Sequence, residues 1–315
     1  MGKVFLSDYF NTDFGLHKIF PFSHFITHLT YGDKFDKTVY NLPKNLTHLT
    51  FGYHFNSPVV KYPPNLKHLT FGDLFNQSVD NLSSNITHLA FGKLFNQSVD
   101  EFPNSITHLT FGWRFNQSVD KLPNCTTHLT FGDFFDKSVD KLPNNITHLT
   151  FGECFNQSVD KLPNSLTHLT FGGWFDHSVD KLPNNVAHLT FGHWFDKTVD
   201  NLPKNLTRLT FGVHFNQSVD NLPKNLTHLT FDWNFDQSVD KLPSNITHLT
   251  FGGYFNQSID NIPDSVEHLK FKHCYYKKVN KMPKKLSILE MPERCDIMDD
   301  FLRLQKEHTY KIIKY

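Results

Sequence analysis

The sequence predicts a mostly β protein: a single continuous solenoid of 20-residue coils, each carrying one short parallel strand. Register is the first reason. Close copies of LPKNLTHLTFGYHFN, residues 42–56, recur every 20 residues, and the column from His28 to His268 keeps its place throughout, with Arg208 the one substitution. Periodicity is the second. Within Thr47 to Phe51, Leu49 and Phe51 flank Thr50, the alternation that lays apolar side chains on one face of a strand. The third is space: Pro43 precedes the strand, Gly52 follows it, and 20 residues must return the chain to its start, which leaves no room for a normal helix and two turns. One coil cannot bury its apolar face alone, whereas stacked coils share a core.

Residues 1–26 lack the repeat and are rich in Phe5, Phe10, Phe14, Phe20, Phe22 and Phe25, with Pro21 breaking any long helix. They are expected to form an N-terminal cap, because the open edge of the first coil is an aggregation hazard. The start, MGKVFLSDYF, has no apolar run before a small-residue cleavage site, so no secretory signal is expected. Residues 27–285 form the repeat solenoid. Its first coils diverge slightly, at Tyr31, Tyr40, Pro58 and Val60, and after Asp264 the pattern decays as Lys270, Lys272, Tyr275 and Tyr276 enter. Residues 286–315 read as a C-terminal cap: Asp296, Ile297, Met298, Phe301, Leu302 and Leu304 suit a short amphipathic helix, and Tyr310, Ile312 and Ile313 an extended finish.

Within the repeat, Phe recurs without exception from Phe35 to Phe255, as a column packed inside the stack requires. The next column, which includes Asn56, Asn116, Asp136 and Asp176, interchanges amide and acid. Both types share a side-chain oxygen, so this column is expected to accept backbone N–H groups. The column from Asp80 to Asp260 is read the same way, as turn acceptors.

Composition narrows the function. Basic and acidic residues balance at 31 each, so charge gives no reason to expect nucleic acid or an anionic membrane as a partner, and no apolar run approaches a membrane span. The four cysteines, Cys125, Cys154, Cys274 and Cys295, are not at metal or redox spacing, and read as thiols of a reducing compartment. Asn-x-Ser/Thr sequons such as Asn45-Leu46-Thr47 recur in nearly every coil, which favours an intracellular site without glycosylation. Twelve of the 20 histidines repeat only because the strand repeats, and no Asp, Glu or Cys joins them there at ligand spacing. No metal, no cofactor and no enzymatic activity are therefore expected.

The strand-face ladder comprises His48, His68, His88, His108, His128, His148, His168, His188, Arg208, His228 and His248 beside a column of Thr. Stacked about 4.8 Å apart, these histidines should each disfavour the charging of the next, lowering their pKa values. The two positions after each strand vary from Gly to Trp and hold all four tryptophans, which a packing column would not do. Trp113, Arg114, Phe134, Trp174, Trp194, His214, Trp233 and Tyr254 are therefore the candidate binding residues, since aromatic and Arg side chains anchor interfaces. The expected function is a non-enzymatic protein-binding scaffold. A structural solenoid without a dedicated partner is the alternative.

The segment LPKNLTRLTFGVHFNQSVDNLP, with its Phe215-Asn216 and Leu222-Pro223 pairs, resembles the FNIP-repeat family, relatives of leucine-rich repeats found in giant viruses and social amoebae. The resemblance spans roughly residues 26–285 and implies a leucine-rich-repeat-like fold. For a viral chain the expected partner is a host protein, in the host cytoplasm, and a monomer is the favoured state of the chain. Some members carry an F-box-like segment, which implies a substrate-recruiting adaptor for ubiquitin ligation; the N-terminus here lacks that pattern. The ladder Asn of ordinary leucine-rich repeats would fall at His54, and this chain has Asn56 instead.

Overall fold

The computed structural model describes residues 2–6, 23–293, 298–305 and 310–315, in two compact units, Met1–Phe155 and Asn156–Tyr315. Each unit is a parallel β-solenoid with a 20-residue period. The first contains β1 (Gly2–Leu6), a 3-10 turn at Ser23–Phe25, β2 (Ile26–Tyr31), β3 (His48–Thr50), β4 (His68–Thr70), β5 (His88–Ala90), β6 (His108–Thr110), β7 (His128–Thr130) and β8 (His148–Thr150). The second contains β9 (His168–Thr170), β10 (His188–Thr190), β11 (Arg208–Thr210), β12 (His228–Thr230), β13 (His248–Phe251), β14 (His268–Phe271), β15 (Ile288–Met291), helix α1 (Met298–Gln305) and β16 (Lys311–Lys314).

Pairing follows chain order with like residues opposite one another: His48 faces His68, Leu49 faces Leu69 and Thr50 faces Thr70. Most strands are only three residues long, yet the ladder continues on either side, with Thr47 N–H donating to the Thr27 carbonyl at 2.8 Å and Phe51 N–H to that of Thr70 at 2.9 Å. The 20-residue offset continues into β15, where Leu289 faces Leu269 and Ile288 takes the histidine's place opposite His268. β1 also joins the sheet, parallel to β2. No repeat residue marks it, so it was not legible as a strand, and its Phe5 is exposed. Phe10, Phe14, Phe20 and Phe22, like Cys295, Asp296 and Ile297, lie outside the described residues.

Leu49, Phe51 and Phe55 are all buried, and the two Phe columns lie side by side. Phe71 and Phe75 sit 3.8 Å apart within one coil; Phe55 and Phe75 sit 5.8 Å apart between coils with rings 1° from parallel. That separation exceeds the strand spacing of about 4.8 Å, so the rings are offset along the stack. The glycine that follows most strands permits close approach, since a Cβ on Gly132 would run into the Gly112 carbonyl, whereas Asp232 and Lys272 stand at that position after β12 and β14.

The Asn/Asp column behaves as expected, but between coils rather than within a turn. Asn76 N–H donates to Asn56 Oδ1 at 2.8 Å, and Asp196 N–H to Asp176 Oδ1 at 3.0 Å. In the Asp80-type column Asp260 does likewise, its Oδ1 accepting the Asn280 N–H at 2.9 Å, but most coils differ. There the turn acceptor is the serine two residues earlier, Ser98 Oγ accepting Asp100 N–H at 3.3 Å, and the carboxylate reaches instead to the next coil, as Asp100 does to Lys121 at 3.1 Å. At the C-terminus, α1 buries Phe301 and Leu304 and exposes Leu302, and the Tyr310 hydroxyl donates to the Phe301 carbonyl at 2.6 Å.

Candidate binding surface

In the first unit the strand-face histidines form a continuous stack. Successive ring centroids from His28 to His148 lie 4.0–4.2 Å apart. What holds a ring in place is the preceding residue: Thr107 Oγ1 is 2.9 Å from His108 Nδ1, and Thr127 Oγ1 the same distance from His128 Nδ1. The Thr87 carbonyl, 3.1 Å from Thr107 Oγ1, already accepts N–H groups from Thr107 and His108 at 2.9 and 3.0 Å. The Thr107 hydroxyl also donates to that carbonyl, which ties the His108 ring to the previous coil. Where the hydroxyl is missing one neighbouring pair tilts without moving apart, though His68 stays within 4° of His48. Lys67 precedes His68, whose ring is 29° from that of His88; Ala187 precedes His188, whose ring stands at 74° to that of His168. Arg208 then interrupts the column, and His268 turns to Glu290, 2.8 Å from Nε2.

The pKa of His48 is lowered to about 4, first by burial of the ring and then by His68 and His28. His68, His88 and His108, and in the second unit His228 and His248, are lowered with burial again the leading cause. The expected direction is found, but mutual repulsion is the lesser cause. No three His, Cys, Asp or Glu side chains among the described residues are grouped to hold a metal.

The post-strand columns are fixed by their backbone. Phe134 N–H donates to the Trp113 carbonyl at 2.9 Å, Trp194 N–H to Gly173 at 2.8 Å and Tyr254 N–H to Trp233 at 2.8 Å. In the first unit Trp113 and Phe134 meet at 5.2 Å beside exposed Arg114. In the second, Trp174 and Trp194 are 56% and 53% exposed and Tyr254 is 64% exposed, too much for packing residues. Trp194 stacks on His214 at 4.1 Å, and His214 Nδ1 contacts the Asn234 amide at 3.1 Å, a planar ladder across three coils. Trp233 is placed differently: its indole lies over Gly253 and meets the His273 ring edge-on at 5.7 Å, with the Asp232–Lys272 pair beside it at 3.2 Å. That is a staple across one coil. Tyr276, 57% exposed, was not singled out; its signal is an aromatic residue in the Asn column.

The FNIP Repeat model matches residues 95–134, 118–154, 135–173, 155–193, 197–231, 215–241 and 238–274, more than half of the chain. The chain belongs to the FNIP-repeat family. A solved structure described as CroV588, a novel circular LRR protein, is 43% identical over 93% of this chain, with a TM-score of 0.86. The FNIP-repeat chain spans 46% of that protein's length, about half. YopM from Yersinia enterocolitica WA-314 shares the fold at a TM-score of 0.51 and 16% identity, over 92% of this chain and 68% of its own. No curated protein matches. The FNIP-repeat solenoid is thus a leucine-rich-repeat-like architecture.

Proposed function

We propose that this FNIP-repeat protein binds a protein partner through the post-strand aromatic columns, with the strand face of His and Thr alongside. The observation that carries this is Trp174 and Trp194: large, exposed and adjacent to the invariant buried pair Phe175 and Phe195 in an otherwise uniform repeat. For a viral chain the partner is a host protein. The sequons support action in a compartment without glycosylation, because their amides are already engaged: Asn145 Nδ2 donates to the Asn124 carbonyl at 2.7 Å and Asn245 Nδ2 to that of Lys224 at 2.9 Å.

The test is affinity capture from host-cell extract with the intact chain and with Trp174→Ala/Trp194→Ala. The expected outcome is loss of the specific partner, by several kcal/mol of binding in the hot-spot range, with an unchanged urea midpoint. Phe175→Ala/Phe195→Ala should instead unfold or soften the solenoid, since truncating a buried Phe costs about 3–5 kcal/mol. Undiminished capture by the Trp variant, or equal loss of folding from both pairs, refutes the assignment.

A further inference from the structure

We propose that a groove in the first unit, distinct from the tryptophan columns, binds a short acidic peptide segment of a partner protein that also carries an aliphatic or aromatic side chain. The groove has a volume of about 720 Å³ and lies where the turns at residues 41–44, 60–64 and 81–84 come together. That volume is within the usual range for ligand clefts, roughly 300–1,000 Å³. Tyr62 and Pro63 are buried at its base, and Val60 and Pro64 are exposed on its wall.

Several columns of the repeat break at this place together. From Asp80 to Asp260 each coil has Asp at one position, but the two preceding coils have Tyr40 and Val60, 51% and 54% exposed. The column from Leu42 to Met282 is buried in every coil except at Leu82, which is half-buried where Ser83 replaces the usual Pro. Asn41, at the mouth, has φ of 54°, a left-handed conformation that the corresponding residues of other coils do not adopt.

Charge identifies the occupant. A lysine in this column ordinarily pairs with the Asp 21 residues earlier: Lys121 with Asp100 at 3.1 Å, Lys141 with Asp120 at 2.7 Å, Lys181 with Asp160 at 2.7 Å. For Lys61 that position is Tyr40, so the repeat supplies no counter-ion. Among the described residues neither Lys61 nor Lys44 forms an ion pair, and no carboxylate lines the groove. Two unpaired ammonium groups flanking exposed Val60 and Tyr40 complement carboxylates spaced around an apolar side chain.

The control is written into the repeat. Tyr40→Asp/Val60→Asp restores the residue that most coils carry, adds the missing partner of Lys61 and fills the groove with charge while keeping the coil's own chemistry. A display library of random short peptides is selected on the intact chain and counter-selected on this variant. Enrichment of sequences that combine Asp or Glu with Phe, Leu or Ile is expected, and the enriched peptide should bind Lys61→Gln about tenfold more weakly. It should bind Trp174→Ala/Trp194→Ala unchanged, which separates this site from the aromatic surface. Circular dichroism and urea midpoints of both groove variants should match the parent; if the double variant is unfolded, Lys61→Glu serves as the counter-selection target. No enrichment, enrichment without acidic residues, or indifference of the peptide to Lys61 overturns the proposal. So does displacement by laurate at concentrations below those of the peptide, which would make the groove a site for an anionic amphiphile.

Discussion

At Asn116 one side-chain oxygen does the structural work. It accepts the N–H of Asp136 at 3.0 Å, while the N–H of Asn116 itself donates to Asn96 Oδ1 at 2.9 Å. Asn116→Ala leaves a part-buried N–H without its acceptor and should lower the unfolding free energy by about 1–3 kcal/mol, read from urea titration. Asn116→Asp keeps the acceptor and should cost less, as the adjacent carboxylates Asp176 and Asp196 already show is tolerated. The interchange of Asn and Asp made this acceptor legible in the sequence, because only the shared oxygen survives the exchange. The role of the Asp80-type column was not legible in the same way. Ser98 and Asp100 both repeat with the coil, and repetition alone does not say which of two neighbouring oxygens takes the turn's N–H.

At the scale of the strand column, histidine titration becomes a folding property. His48, His68, His88 and His108 all have folded-state pKa values below the ordinary 6.5, that of His48 about 4. Below pH 6.5 the unfolded chain therefore takes up more protons than the folded one, so stability from this column is complete above that pH and declines as the pH falls toward 4. Urea midpoints should fall between pH about 7.5 and about 5, and replacing these four histidines with Gln should flatten the response. A midpoint that rises on acidification would refute this. Because burial leads the shifts, added salt should remove only part of the effect. The strand itself was legible from the alternation of Leu49 and Phe51. Ring orientation was not, since it rests on contacts with neighbouring side chains, such as the Thr107 hydroxyl beside His108 and Glu290 beside His268.

At the scale of the whole molecule, stability in stacked repeats is a sum of neighbour terms, so damage is felt locally. Phe301 of α1 is fully buried and meets Phe271 at 6.2 Å. Phe301→Ala should cost about 3–5 kcal/mol, with faster amide exchange concentrated around β14 to β16; a uniform rise in exchange across both units would contradict neighbour-limited coupling. The repeat made most of the architecture readable before any coordinates, and its divergences carried the rest unevenly. Trp174 and Trp194 stood out as large residues in a variable column. The groove at Val60 did not, because a single valine in place of aspartate gains meaning only once Lys44, Lys61 and Ser83 are seen around it.

The rungs described for Asn76, Asn96 and Asn116 each join a residue to its counterpart 20 positions earlier. A gene segment encoding one whole coil can therefore be lost or duplicated by recombination between near-identical stretches, and the reading frame of contacts closes again on the next copy. Loss of residues 96–115 would bring Asn116 onto Asn76 as Asn96 now sits. Insertion of a single residue has no such remedy, since it offsets every rung at that level. Coil number is then a heritable quantity that changes in steps of one, which is how chains of very different length can share one fold.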